Sequence, residues 1–355
     1  MARLAHVSTL LPEYKMTAEE VERYAHLVCE VWGLNTATVV RIIRNAKVDV
    51  RYGVQPIEEL IADHTFKDRN DLFIEKSVDL GERVIRKLLD ETGLKPTDID
   101  MLFTVSCTGF MIPSMDAYLI PRLGMKPTTR RVPITELGCA AGAVGLSRAY
   151  EYIRAYPDHK AILLAVELPT LTFQRRDVNM AHVVSSIIFG DGAAAALVHG
   201  TSHQAGPRIL ATQSFLFPES LWYMGFNIDG GGLHIVLDKK VPEAIRTTIG
   251  PLVEGFLSSQ GVSLSDIKWT AVHPAGRKPI SHMEEVLKMP RSMTQYTWKV
   301  LREYGNMSSA SVLFVLKELL NAPEAPAKAG DLGLILAFGP GFSAELLLAR
   351  WEDAS

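Results

Sequence analysis

The sequence predicts an α/β fold built from two duplicated halves, and three observations predict it. Buried-strand runs alternate with amphipathic helical stretches, which marks an α/β architecture. Three segments of the first half recur in the same order in the second, the signature of an internal repeat. The 355 residues are 47% hydrophobic and 22% charged, the composition of a globular chain long enough to bury a large core.

The elements follow in chain order. Met1 to Pro12 is a broken apolar stretch, too short and interrupted for the core of a signal peptide. The first 75 residues look helical and polar, and Thr17-Ala-Glu-Glu20 fits a capping box ahead of a helix over Val21 to Val31. From Asp71, the residues Ile74, Val78, Leu80, Val84, Leu88 and Leu89 have amphipathic helical spacing, ending near Thr92-Gly93. Met101 to Ser106, Lys160 to Glu167 and Gly192 to Val198 read as fully buried strands, with helices between them. Ala161 to Val166 and Leu334 to Phe338 are apolar but far short of the roughly 18 residues of a membrane helix, so no membrane span is expected.

The repeat is visible by eye. Gly93-Leu-Lys-Pro-Thr-Asp98-Ile99-Asp-Met-Leu-Phe-Thr-Val105 aligns without gaps on Gly261-Val-Ser-Leu-Ser-Asp266-Ile267-Lys-Trp-Thr-Ala-Val-His273. Leu137-Gly-Cys139-Ala-Ala-Gly-Ala-Val aligns on Tyr304-Gly-Asn306-Met-Ser-Ser-Ala-Ser, a small-residue turn opening an apolar helix each time, and Ile162 to Val166 aligns on Leu334 to Phe338. The boundary falls in the polar stretch His199 to Pro207, giving halves of residues 1–205 and 206–355.

Composition excludes several function classes. Thirty-seven basic against 40 acidic side chains leave a formal charge of -3, so no nucleic-acid partner is expected. Cys29, Cys107 and Cys139 are an odd, sparse set without CxxC spacing, which argues against a disulfide framework or a zinc site and fits a reducing cytoplasm.

Duplication also places chemistry. A pseudo-twofold axis points the starts of equivalent helices at a common centre, so Cys139 and Asn306 face each other, and His273 sits where strand ends of α/β folds carry reactive groups. A helix macrodipole and a nearby imidazolium would stabilise a Cys139 thiolate and lower its pKa below about 8.5; the competing reading is a buried small apolar residue. Asn306 is either an N-cap or a donor to a developing oxyanion. A Cys-His-Asn set suits decarboxylation of a malonyl thioester, which builds negative charge on the thioester oxygen, and requires no metal.

These motifs resemble a known family over nearly the whole chain: the type III polyketide synthases, chalcone synthase-like enzymes of the thiolase superfamily. The matching segments are Glu136-Leu-Gly-Cys139-Ala-Ala-Gly, Phe189-Gly-Asp-Gly-Ala-Ala-Ala, Val272-His273-Pro-Ala-Gly276, Tyr304-Gly-Asn306-Met-Ser-Ser-Ala-Ser and Phe338-Gly-Pro-Gly341-Phe. The resemblance implies a five-layered αβαβα fold, a homodimer, Cys139, His273 and Asn306 as catalytic triad, and Phe189 as gatekeeper. It implies no cofactor, malonyl-CoA and acyl-CoA being substrates. Arg41, Arg44, Lys47 and Arg51 correspond to residues that would hold the CoA phosphates, a solvated helix face being the alternative. Cys107 stands where plant enzymes have a pocket threonine, and looks like the cysteine of several bacterial relatives. Ile112 stands where a methionine crosses the plant dimer interface. Thr172, Gly225, Ile235, Ser308 and Gly276 complete the implied substrate-binding set. Ile235 in place of an aromatic, with small Gly225, suggests a longer apolar tunnel for an aliphatic, even long-chain, starter, as in bacterial alkylpyrone and alkylresorcinol synthases. The competing enzyme is a third-class ketoacyl-acyl-carrier-protein synthase making one condensation, whose histidine setting resembles His-Gln-Ala-Asn. A malonyl-primed aromatic synthase is a further alternative, and a non-enzymatic descendant would have lost a triad member.

Overall fold

The computed structural model describes residues 2–175, 177–201, 205–322 and 327–353; the proposed boundary stretch 199–207 therefore lies partly outside the described residues. The first half runs β1 (Ala2–Leu10), β2 (Tyr14–Thr17), α1 (Ala18–Trp32), α2 (Thr36–Ala46), β3 (Val50–Gly53), α3 (Ile57–Leu60), α4 (Phe66–Thr92), β4 (Met101–Ser106), α5 (Met115–Leu123), β5 (Arg130–Thr135), α6 (Ala141–Ala155), β6 (Lys160–Glu167), α7 (Met180–Ile188) and β7 (Gly192–His199). The second runs β8 (Gly206–Leu216), β9 (Met224–Asp229), β10 (Gly232–Leu237), α8 (Val241–Ser259), β11 (Ile267–Val272), α9 (Arg277–Val286), α10 (Arg291–Tyr304), α11 (Ala310–Leu320), β12 (Leu332–Gly339) and β13 (Ser343–Glu352).

Nine strands form one sheet in the order β11-β12-β13-β8-β1-β7-β6-β4-β5. β4 lies parallel to β5 and β6, and β11 parallel to β12; the other neighbours are antiparallel. The two wings join at β1 and β8 through Ala2↔Ile209 and Arg3↔Arg208. Alternation of side chains along each strand then makes layers. Ala161, Leu163 and Ala165 of β6 and Ile335 and Ala337 of β12 pack on α6 and α11 in a central core. Ile162, Leu164 and Val166 face α4 and α5, and Leu334, Leu336 and Phe338 face α8. With the two wings of the sheet as the β layers, the order is helix, sheet wing, helix, sheet wing, helix, the expected thiolase-like αβαβα arrangement.

Local chemistry explains several elements. Thr17 caps α1 through the Glu20 N–H while the Glu20 carboxylate accepts from Thr17 N–H at 2.8 Å, and α4 ends at Gly93 with φ +69°. The repeat motif is built twice: Asp98 accepts from Lys95 N–H at 2.9 Å, and Asp266 from Ser263 N–H at 2.8 Å. One correction concerns the amino terminus. Ala2–Leu10, read from sequence as a broken apolar stretch, is a central strand paired with β7 and β8; its polar residues Ser8 and His6 find a partner in Glu91, so tertiary partners override the weak local pattern.

Candidate active site

Gly142 on α6 brings the Cys139 turn to the Asn306 turn, since a Cβ there would lie 2.1 Å from the Ser309 carbonyl oxygen. Cys139 sits in the 3-10 turn Gly138–Ala140 just before α6. This turn packs on the end of β12, where a Cβ on Gly339 would meet the Leu137 oxygen at 2.6 Å. His273 follows β11, beside β12, and its N–H donates to the Leu336 carbonyl at 2.8 Å. Asn306 lies between α10 and α11; its Oδ1 accepts from Ser308 N–H at 2.8 Å. That bond caps the turn, and the Asn306 side chain also hydrogen-bonds to the Cys139 thiol. Phe189 is bridged to Asn306 through the backbone.

Electrostatics correct one expectation. Burial pushes the Cys139 thiol up to about 12, against the opposing pull of hydrogen bonds from Ser308 and Asn306. Burial pushes His273 down to about 3. Both ring nitrogens of His273 are buried without a partner among the described residues. Burial therefore favours a neutral imidazole and a neutral thiol over the imidazolium-lowered thiolate expected from sequence, because desolvation outweighs the helix terminus here. An unpartnered buried imidazole is poised to take a proton or donate to a bound oxygen.

Ser308 links two thiols: its hydroxyl lies 3.5 Å from Cys139 Sγ and 3.4 Å from Cys107 Sγ. Behind Cys107 stands Glu167, which the sequence reading missed. Its buried carboxylate accepts from Cys107 N–H at 3.1 Å, Thr108 Oγ1 at 2.9 Å and Ser309 Oγ at 2.5 Å. Burial raises its pKa, and burial beside it raises the Cys107 thiol well above the ordinary value. The available signal was a lone acid ending the apolar run Ala161 to Val166.

The expected pocket residues divide between cavities. Phe189, Thr172 and Ile235 line an apolar cavity of about 100 Å³ against α1 and α2. Cys107, Ile112 and Gly225 line a separate cavity of about 500 Å³. Gly225 and Ile235 therefore do not open one common tunnel as expected: across the β9–β10 hairpin Gly225 pairs with Val236 and Ile235 with Phe226, and a shift of one residue reverses the face a side chain meets. Ile112 is fully exposed. Gly276, with φ +141°, and Arg41 line a third cavity of about 570 Å³, together with Lys239, Arg277 and Lys278, which the sequence reading did not single out.

The basic set is also corrected. Arg51 is buried, its Nη1 donating to the Phe189 carbonyl at 2.8 Å and to that of Ser186, and burial lowers its pKa to about 10. It anchors the turn at Phe189 and presents no charge at a mouth. Arg44 is exposed but forms a two-pronged pair with Glu22 at 2.6 and 3.1 Å. Lys47 caps the end of α2 with φ +61° and is exposed.

Comparison with known proteins places this geometry. The profile described as "Chalcone and stilbene synthases, N-terminal domain" matches residues 54–202, and its C-terminal counterpart matches residues 208–351. The chain belongs to the chalcone and stilbene synthase family. It is 36% identical over 352 residues to a 1,3,6,8-tetrahydroxynaphthalene synthase of Streptomyces peucetius, covering 98% of this chain and 93% of that one. It is 31% identical to an alpha-pyrone synthesis polyketide synthase-like protein of Mycobacterium tuberculosis, over 80% of this chain and 73% of that one. The crystal structure of the tetrahydroxynaphthalene synthase of Streptomyces coelicolor, a bacterial type III polyketide synthase, superposes with a TM-score of 0.94 at 34% identity, over 99% of this chain and 100% of that one. The protein is thus a type III polyketide synthase, an acyltransferase that condenses malonyl-CoA units iteratively. The single-condensation carrier-protein alternative is set aside. Among the described residues no helix is long and apolar enough to cross a membrane.

Proposed function

We propose that this synthase loads an aliphatic acyl-CoA starter on Cys139, extends it with malonyl-CoA and releases a pyrone or resorcinol-type product. The observation that carries the starter class is the apolar cavity beside Phe189, whose wall is formed by Val21, Val28, Leu34, Val39 and Ile235. A volume of about 100 Å³ admits the first methylenes of a chain, and a longer one requires α1 and α2 to part.

Each step has a residue. Thioester exchange moves the acyl group from CoA to Cys139 Sγ, with His273 taking the thiol proton and CoA leaving as thiol. Malonyl-CoA loses carbon dioxide; the enolate oxygen so formed accepts hydrogen bonds from the His273 ring and the Asn306 amide. The enolate carbon attacks the acyl thioester, the Cys139 thiolate leaves, and the lengthened CoA thioester reloads. Arg41, Lys239, Arg277 and Lys278 at the mouth of the third cavity suit the CoA phosphates. The bare Ile112, with Phe110, Leu221 and Trp222 exposed nearby, supports a homodimer in which a partner covers this face. Two repeated units, 1–205 and 206–355, are supported by the twin capping turns at Asp98 and Asp266. Free cysteines at all three positions support a reducing cytoplasm.

A malonyl-primed aromatic product is the second reading, favoured by the similarity to the Streptomyces tetrahydroxynaphthalene synthases and by Cys107 beside the cavity of about 500 Å³. Mass spectrometry of products from malonyl-CoA alone, and with acyl-CoA starters from acetyl to long-chain, decides between them, with Cys139→Ala as control. Products that require an aliphatic acyl-CoA support the first reading; an aromatic product from malonyl-CoA alone overturns it.

A further inference from the structure

The β9–β10 hairpin pairs with no other strand among the described residues, yet it lines each of the three cavities described above. Ile235 lines the apolar one, Gly225, Phe226 and Leu233 the one at Cys107, and Met224 and Leu237 the basic-mouthed one. Where this two-stranded ribbon sits therefore sets how much space the growing chain has. A two-stranded ribbon is marginal by itself, so its position depends on what holds its tip.

The tip rests on a polar fork. Arg69, on α4, donates through Nη2 to the Gly231 carbonyl at 2.6 Å and to Gln174 Oε1 at 3.0 Å, and through Nη1 to the His64 carbonyl at 2.9 Å. Gln174 is buried, and its Nε2 donates to the Leu233 carbonyl at 3.2 Å. Gly232 makes the seat possible: its φ is +126°, and a Cβ there would lie 2.8 Å from Gln174 Nε2. His234 adds a side tie, with Nε2 3.0 Å from Asp229 and Nδ1 3.4 Å from Asp177. Arg69 Nη1 ties the fork to the His64 carbonyl, while Nη2 and Gln174 reach the hairpin, so losing Gln174 strips the buried Leu233 carbonyl of this donor and leaves Arg69 Nη2 on Gly231 alone.

We propose that Arg69 and Gln174 are specificity-determining positioning residues, which fix the hairpin over the cavities and so set the length of the chain the enzyme makes. The proposal rests on these cavities holding the acyl chain. Its test is Gln174→Met, similar in size and unable to bridge, with Arg69→Lys as a second variant that keeps the charge and loses the fork. Two readouts are taken together: hydrogen exchange of residues 224–237, and kcat/KM across acyl-CoA starters from two to sixteen carbons, normalised to malonyl-CoA decarboxylation. Exchange in the hairpin should rise at least about tenfold, with the preference for long over short starters shifting at least about threefold and decarboxylation within about twofold of wild type. An unchanged length profile overturns the proposal whatever the exchange, as does a shifted profile with hairpin exchange unaltered. If the wild type takes no acyl-CoA starter, the aliphatic reading fails on its own, and the length profile is then read as the number of malonyl units in the malonyl-primed products.

Discussion

Phe189 and Asn306 are locked side by side through the main chain: the Asn306 N–H donates to the Ile188 carbonyl at 2.8 Å, and the Gly190 N–H donates to the Asn306 carbonyl at 3.1 Å. The two residues are therefore held in a fixed relation by these two bonds. Gly305 allows the approach, with φ +73° and a hypothetical Cβ only 2.6 Å from the Ile188 oxygen. Gly305→Ala is expected to lower stability by at least about 2 kcal/mol and to slow decarboxylation more than self-acylation. Urea unfolding and single-turnover assays check both; a wild-type unfolding midpoint would refute the lock.

Asn306→Ala should separate the steps further. Its Oδ1 is spent on Ser308 N–H, which leaves the amide nitrogen as the donor for developing enolate charge. Removing one such donor costs about 10²- to 10³-fold, so decarboxylation should fall by that much, with acylation of Cys139 reduced far less. Equal losses in the two steps would count against the role.

Ser308→Ala tests the tie between the thiols. The Ser308 hydrogen bond lowers the Cys139 pKa, so its removal should move the pH midpoint of iodoacetamide inactivation upward. A midpoint equal to wild type would mean the hydroxyl serves Cys107 alone.

How much of this was legible in the sequence depends on how local the signal was. The strands Met101–Ser106 and Lys160–Glu167 were read to the residue because continuous apolar runs need no partner to be recognised. β1 was missed because its strand character comes from β7 and β8, nearly two hundred residues away. The meeting of Cys139 with Asn306 was legible because the repeat carries both to equivalent helix starts. Arg51 misled because a cation beside other cations reads as a charged face, whereas β3 turns this one inward beneath Phe189. Gly225 and Ile235 misled because only the hairpin register tells which face each occupies.

The exposed and the buried cations should behave oppositely. Arg41 and Lys278 line the wide mouth and are exposed, so Arg41→Ala and Lys278→Ala should each raise KM for malonyl-CoA roughly three- to tenfold with the melting temperature unchanged. Arg51→Met strands the Ser186 and Phe189 carbonyls and the neighbouring Asp191, whose own carboxyl burial raises to about 7. It should cost at least about 3 kcal/mol. A stable Arg51→Met enzyme with only a raised KM would restore the phosphate role.

Acid sensitivity has a definite sign. His182 accepts the Gln174 N–H on Nε2 at 3.3 Å, so that nitrogen carries no proton, and burial lowers its pKa to about 4. The unfolded chain takes up that proton near pH 6.5, while the native state resists until about 4. Below 6.5 the unfolded state thus binds more protons, and stability falls as pH drops through the window from about 6.5 to 4; His273, pushed to about 3, acts in the same direction. From pH 7 to 4.5 the His182 contribution alone is about 2 kcal/mol. His182→Gln, measured by urea unfolding at the two pH values, should narrow the wild-type stability difference by that amount. A difference that stays as large without the imidazole would place the acid sensitivity in other groups.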